Sequence, residues 1–108
     1  MTARAVRGTK DLFGKELRMH QRIVATARKV LEAAGALELV TPIFEETQVF
    51  EKGVGAATDI VRKEMYDFRD KGDRQMALRP EATASVARAF VQHRPPTPWK
   101  VWCVTPAF

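Results

Sequence analysis

Apolar positions recur along the first third of the chain at steps of three and four. Leu17, His20, Val24, Ala27, Leu31 and Ala34 fall on one face of a long helix, and Arg18, Arg22, Arg28, Lys29 and Glu32 mostly take the others. Gly35 is placed to end that helix as a C′ residue. Ahead of it, Arg7-Gly8-Thr9-Lys10-Asp11 reads as an ordered turn. Leu37 to Val40 then reads as a short strand running into Thr41-Pro42, where a proline without an N–H marks a strand end, an edge or a bulge.

The pattern changes after Glu46. Glu46 to Lys52 has room for a helical turn or two before Gly53 and Gly55. Met65 to Asp70 and Arg74 to Leu78 flank Lys71-Gly72-Asp73, which predicts a β-hairpin with Gly72 in its turn. Pro80 stands where a second helix would begin. Ala82, Val86, Ala89, Phe90 and His93 trace its face, and Pro95, Pro96 and Pro98 end it. Trp99 to Thr105 is apolar on both faces, as in a doubly covered central strand. These elements predict a single α+β domain over residues 1–108, with helices flanking a largely antiparallel sheet. An apolar central strand so near Phe108 leads to the expectation that more chain normally follows.

Composition narrows the class without choosing a function. An apolar fraction of 45% and a charged fraction of 29% suit a globular protein. No apolar run is long enough to span a membrane, and no apolar stretch follows Arg4 and Arg7 as a secretory signal would require. One cysteine excludes an internal disulfide and fits a reducing, cytoplasmic compartment. A net charge of +5 favours polyanionic partners such as nucleic acid, although both signs are interspersed.

The candidate chemistry is sparse. Gly53 to Thr58 lacks the spacing of a phosphate-binding loop. His20, His93 and Cys103 share no metal-ligand spacing, so no metal site is expected. Cys103 reads as a buried small residue, and Trp99 and Trp102 as core aromatics before base-stacking platforms. No nucleophile or general acid–base set stands out, so no catalytic residue is assigned. One corner remains. In Leu78-Arg79-Pro80-Glu81-Ala82-Thr83, a carboxylate and a hydroxyl two residues apart lie at a helix start. They could grip a ligand's ammonium group, or Glu81 could simply complement the helix dipole.

Four stretches together resemble the N-terminal part of the bacterial histidyl-tRNA synthetases, a class II aminoacyl-tRNA synthetase family. They are Val6 to Asp11; Ala34 to Glu45, similar to motif 1 with Pro42 as its proline; Thr58 to Phe68; and Leu78 to Ala84, similar to the histidine-binding run. The resemblance implies part of a class II catalytic domain, from motif 1 to the start of motif 2. It places Glu81, Ala82 and Thr83 at the histidine site, with Glu81 and Thr83 on the α-amino group, and Pro42 at a homodimer interface. The family more often has Gly at the position of Ala82. Its next residue after Phe108 is the arginine that holds the ATP α-phosphate.

A histidine–tRNA ligase is therefore implied as the parent, using histidine, ATP, Mg²⁺ and tRNA(His). The 108-residue chain alone is expected to bind no cofactor and to have little or no activity. Two alternatives stand beside it. One is a regulatory paralogue of ATP phosphoribosyltransferase. The other is a stand-alone dimerising or RNA-binding module.

Overall fold

The computed structural model describes residues 2–52 and 64–108, arranged as two compact units, Met1–Ala36 and Leu37–Phe108. The Gly53–Thr58 stretch, and Asp59 to Lys63 of the family resemblance, lie outside the described residues.

The first unit is dominated by helix α1, Gly14–Ala33. Before it, Thr9 donates its N–H to the carbonyl of Val6 at 2.9 Å, closing the turn expected at Arg7-Gly8. Gly8 supplies the positive φ of +88° that this turn uses. Glu16 stands in the first helical turn, where its charge complements the dipole, and pairs with Lys10. Ala34 is the C-cap and Gly35 follows at φ +89°. The N–H of Gly35 reaches the carbonyl of Glu32 and that of Ala36 reaches Leu31, both at 3.0 Å. This is a Schellman closure, and it needs the left-handed residue that Gly35 provides.

Among the described residues, the second unit holds two small sheets and two helices. Strands β1 (Leu37–Glu38) and β5 (Val101–Trp102) pair in parallel, with Leu37 opposite Val101 and Glu38 opposite Trp102. Strands β2 (Phe44–Glu46), β3 (Asp67–Arg69) and β4 (Gln75–Leu78) form an antiparallel sheet in the order β2-β4-β3. Helix α2 spans Thr47–Glu51 and helix α3 spans Thr83–His93. Phe50 of α2, Ala77 at the centre of β4 and Ala89 of α3 are buried, with Met76 and Trp102.

Three expectations need correcting. Trp99 to Thr105 does not form a doubly covered central strand. Only Val101 and Trp102 are in β5, and among the described residues their one strand neighbour is β1. Trp102 is buried, whereas Cys103 is half-buried and Val104 is exposed, so the apolar run is not covered throughout. Second, the hairpin forms in the expected place, but Asp73 takes the positive φ of +61° that its turn demands. Its N–H closes a turn onto the Asp70 carbonyl at 3.0 Å, and the left-handed residue follows that turn, as in three-residue hairpin loops. Aspartate tolerates this conformation because its short side chain bonds locally. Third, α3 begins at Thr83 and not at Pro80. The reason lies in Glu81.

The candidate histidine corner and its anchor

Glu81 precedes α3, and its carboxylate folds back over the first turn. Oε2 accepts the N–H of Thr83 at 2.5 Å, and the N–H of Ala84 reaches Oε1 at 3.0 Å and Oε2 at 3.3 Å. Ala82, the N-cap residue, makes no side-chain cap of its own. Glu81 therefore satisfies amides that a helix start leaves without intrahelical partners, and this sets the start at Thr83. Ala82 sits at φ −95° and ψ −26°, an ordinary right-handed conformation. Nothing in its backbone requires glycine. Its extra methyl is compatible with the helix start.

Capping and ligand binding do not exclude one another here. An ionised carboxylate has about four acceptor sites, and the two amides make three contacts with it. A helix N-terminus carries about +0.5 elementary charge, about half the size of the opposite charge on the carboxylate. Glu81 is half-buried and Thr83 is exposed, so a ligand can reach both. The corner is open. The groove of about 520 Å³ lined by residues of α2 and α3, among them Gln48, Val49, Ala87 and Val91, does not include Glu81 or Thr83.

The residue that holds this corner in place is Arg79, which sequence reading passed over. It is only 2% exposed. Its Nε donates to the carbonyl of Pro106 at 2.7 Å. Its Nη1 lies within hydrogen-bond distance of the Thr41 carbonyl at 3.2 Å, Thr41 Oγ1 at 3.2 Å and the Pro42 carbonyl at 3.0 Å. The main chain of Arg79 is bonded as well. Its N–H donates to Ile43 at 3.0 Å, and its carbonyl accepts from Phe108 at 2.9 Å. The guanidinium thus ties its own segment to two others through neutral oxygens. Pro42 itself is exposed, and its carbonyl is one of those acceptors.

A second buried contact braces α3. Arg88 grips Glu45 of β2 through Nε, at 3.1 and 3.2 Å, and through Nη2 at 2.9 Å. Its Nη1 donates to Gln92 at 2.8 Å. The remaining candidates are dispersed. His20 and His93 are exposed, and no group of three or more His, Cys, Asp or Glu among the described residues is arranged to hold a metal. Trp99 is half-buried, 5.6 Å from Phe90 between ring centroids.

A family model described as Histidyl-tRNA synthetase matches residues 8–102. Histidine–tRNA ligases of two Thermus thermophilus strains are 75% identical to the chain over 111 residues, covering all of it and 26% of each relative. The Clostridioides difficile ligase is 46% identical, again over the whole chain and 26% of its own length. The chain spans about a quarter of the length of these curated relatives. Among solved structures, apo Staphylococcus aureus histidyl-tRNA synthetase superposes with a TM-score of 0.80 at 32% identity, over 99% of this chain and 29% of that one. The synthetase of a Nostoc species gives 0.83 at 18% identity, covering 99% and 25%, which speaks to the fold alone.

Proposed function

Since the chain belongs to the histidyl-tRNA synthetase family, we propose that it supplies the α-amino corner of the histidine site in a histidine–tRNA ligase. The observation that carries this is the Glu81 carboxylate, fixed by two main-chain amides with acceptor capacity left over and Thr83 exposed beside it. An incoming ammonium has three donors. Glu81 takes one as a charge-assisted hydrogen bond, and the Thr83 hydroxyl accepts another. The two amides hold the carboxylate in place before the ligand arrives, so little ordering is left for binding to impose.

In the whole protein, the histidine carboxylate would attack the α-phosphorus of ATP and pyrophosphate would leave. A ribose hydroxyl of tRNA(His) would then attack the histidyl carbonyl, and AMP would leave. This chain's own part is to bind and orient the amino acid. ATP needs cationic groups around its phosphates. Arg79 and Arg88 are already committed to main-chain oxygens and to Glu45, so neither is free to serve. No described cluster of carboxylates fits Mg²⁺.

A homodimer also belongs to this proposal. Met19, Ile23 and Val30 on α1 are exposed, as is Pro42. A cytoplasmic setting is part of it too. It is supported by a family that serves protein synthesis, and no described helix is long and apolar enough to cross a membrane.

The test is a chimera in which this chain replaces the aligned segment of the full-length Thermus thermophilus ligase. It should aminoacylate tRNA(His). Glu81→Gln should raise its KM for histidine roughly 10–100-fold, the cost of a lost hydrogen bond to a charged group. An unchanged KM would confine Glu81 to capping.

A further inference from the structure

We infer that Arg79 is the positioning residue of the histidine corner, setting where Glu81 and Thr83 stand relative to the segment that ends at Phe108. This inference rests on the function proposed above and adds a residue to it. Arg79 touches no substrate in it. It acts through the main chain.

The geometry supports a lever. Arg79 is held at six points: four contacts of 2.7–3.2 Å from its side chain, and one main-chain bond on each side. Pro80 comes next, with φ fixed by its ring. Glu81 follows, and its carboxylate is pinned to the amides of Thr83 and Ala84. Between the anchored guanidinium and the proposed ammonium acceptor there is thus little free rotation. The anchoring segments are far away in sequence, at Thr41-Pro42 and at Pro106. A displacement of either is passed to Glu81 through one side chain.

The chemistry singles out arginine for this task. The side-chain acceptors lie on two segments and must be met simultaneously by donors in a fixed planar fork. Lysine is a point charge on a flexible stem and cannot reproduce that spread. Burying a cation is costly unless hydrogen bonds replace its hydration. Four neutral oxygens do so here, and the site keeps an expensive group for geometry it could not obtain from an apolar side chain.

The experiment uses the full-length chimera. Arg79→Lys should raise KM for histidine about tenfold, because small misplacements of binding groups are expensive, while KM for ATP moves less than about twofold. Phe50→Leu, in a buried residue that takes no part in the Arg79 contacts, serves as the stability control. It should lower the melting temperature and leave the histidine KM unchanged. If Arg79→Lys does not fold, Thr41→Val removes one acceptor at nearly constant shape and should raise the same KM about threefold, a smaller loss of the same kind. A histidine KM within a factor of about 1.5 for Arg79→Lys, or for Thr41→Val in its place, would overturn the inference. So would an equal rise for Phe50→Leu. Glu81→Gln separates the two levels. If it changes histidine KM and the Arg79 and Thr41 variants do not, the corner stands and only the lever fails. If Glu81→Gln changes nothing, the corner itself fails.

Discussion

Arg88 and Glu45 join α3 to β2 by a guanidinium–carboxylate pair at 2.9–3.2 Å, with the Glu45 side chain 9% exposed and that of Arg88 26% exposed. A pair this enclosed is asymmetric in its energetics. Its formation offsets the desolvation of both charges, and removing one partner strands the other. Arg88→Ala should therefore destabilise the chain by about 3 kcal/mol, towards the range for breaking a buried pair. Urea unfolding of the 108-residue chain measures it. The double variant Glu45→Leu with Arg88→Met should recover most of the loss. A cost below about 0.5 kcal/mol for Arg88→Ala would place the pair with exposed bridges.

The hairpin turn should make stability sensitive to acid. The Asp70 carboxyl is held below its ordinary range, first by the Arg74 main-chain N–H, with desolvation opposing and the Arg74 side chain assisting. The two contacts are 2.8 and 2.7 Å. A carboxyl whose folded pKa is depressed adds stability above its unfolded pKa, and that stability is lost as pH falls through the folded value. The hairpin should weaken on acidification below the normal aspartate range. Asp70→Asn should flatten that part of the pH–stability curve, read by thermal melts at stepped acidic pH. An unchanged curve would remove Asp70 from the acid response.

Gly35 should resist substitution for a conformational reason alone. A Cβ built there meets nothing within 4 Å, yet φ is +89°. Gly35→Ala should cost about 1 kcal/mol, the strain of a left-handed residue with a side chain. Gly35→Asn should cost less, since asparagine tolerates that region. Thermal unfolding of the two variants gives the order.

Self-association is the fourth expectation, and it follows from the proposed dimer. The exposed apolar residues of α1 should draw copies together at micromolar concentration in sedimentation velocity. Ile23→Glu should shift the chain to monomer. A monomer at every concentration in the parent chain would count against the dimer as a property of this segment.

Local order in the sequence explains what could be read without a structure. The step of three and four from Leu17 to Ala34 and the glycine after it fixed α1 and its Schellman end, because helix periodicity and left-handed closure are settled within a few residues. The Asp70–Arg74 turn was legible for the same reason, although the residue taking the positive φ was Asp73. Glu81 and Thr83 were visible as a carboxylate and a hydroxyl at a helix start.

Tertiary structure alone decided the rest. It moved the start of α3 to Thr83 by showing which amides Glu81 caps, a role its place at a helix start already suggested. It paired β5 with β1 in parallel, a partnership between strands far apart in sequence that alternation cannot specify. Above all, it buried Arg79 and joined it to Thr41, Pro42 and Pro106. An arginine between a strand and a proline looks solvated in sequence, since charge is usually exposed. Only the fold brings distant carbonyl oxygens into the reach of its planar fork, and hydrogen bonds to them are what make its burial tolerable.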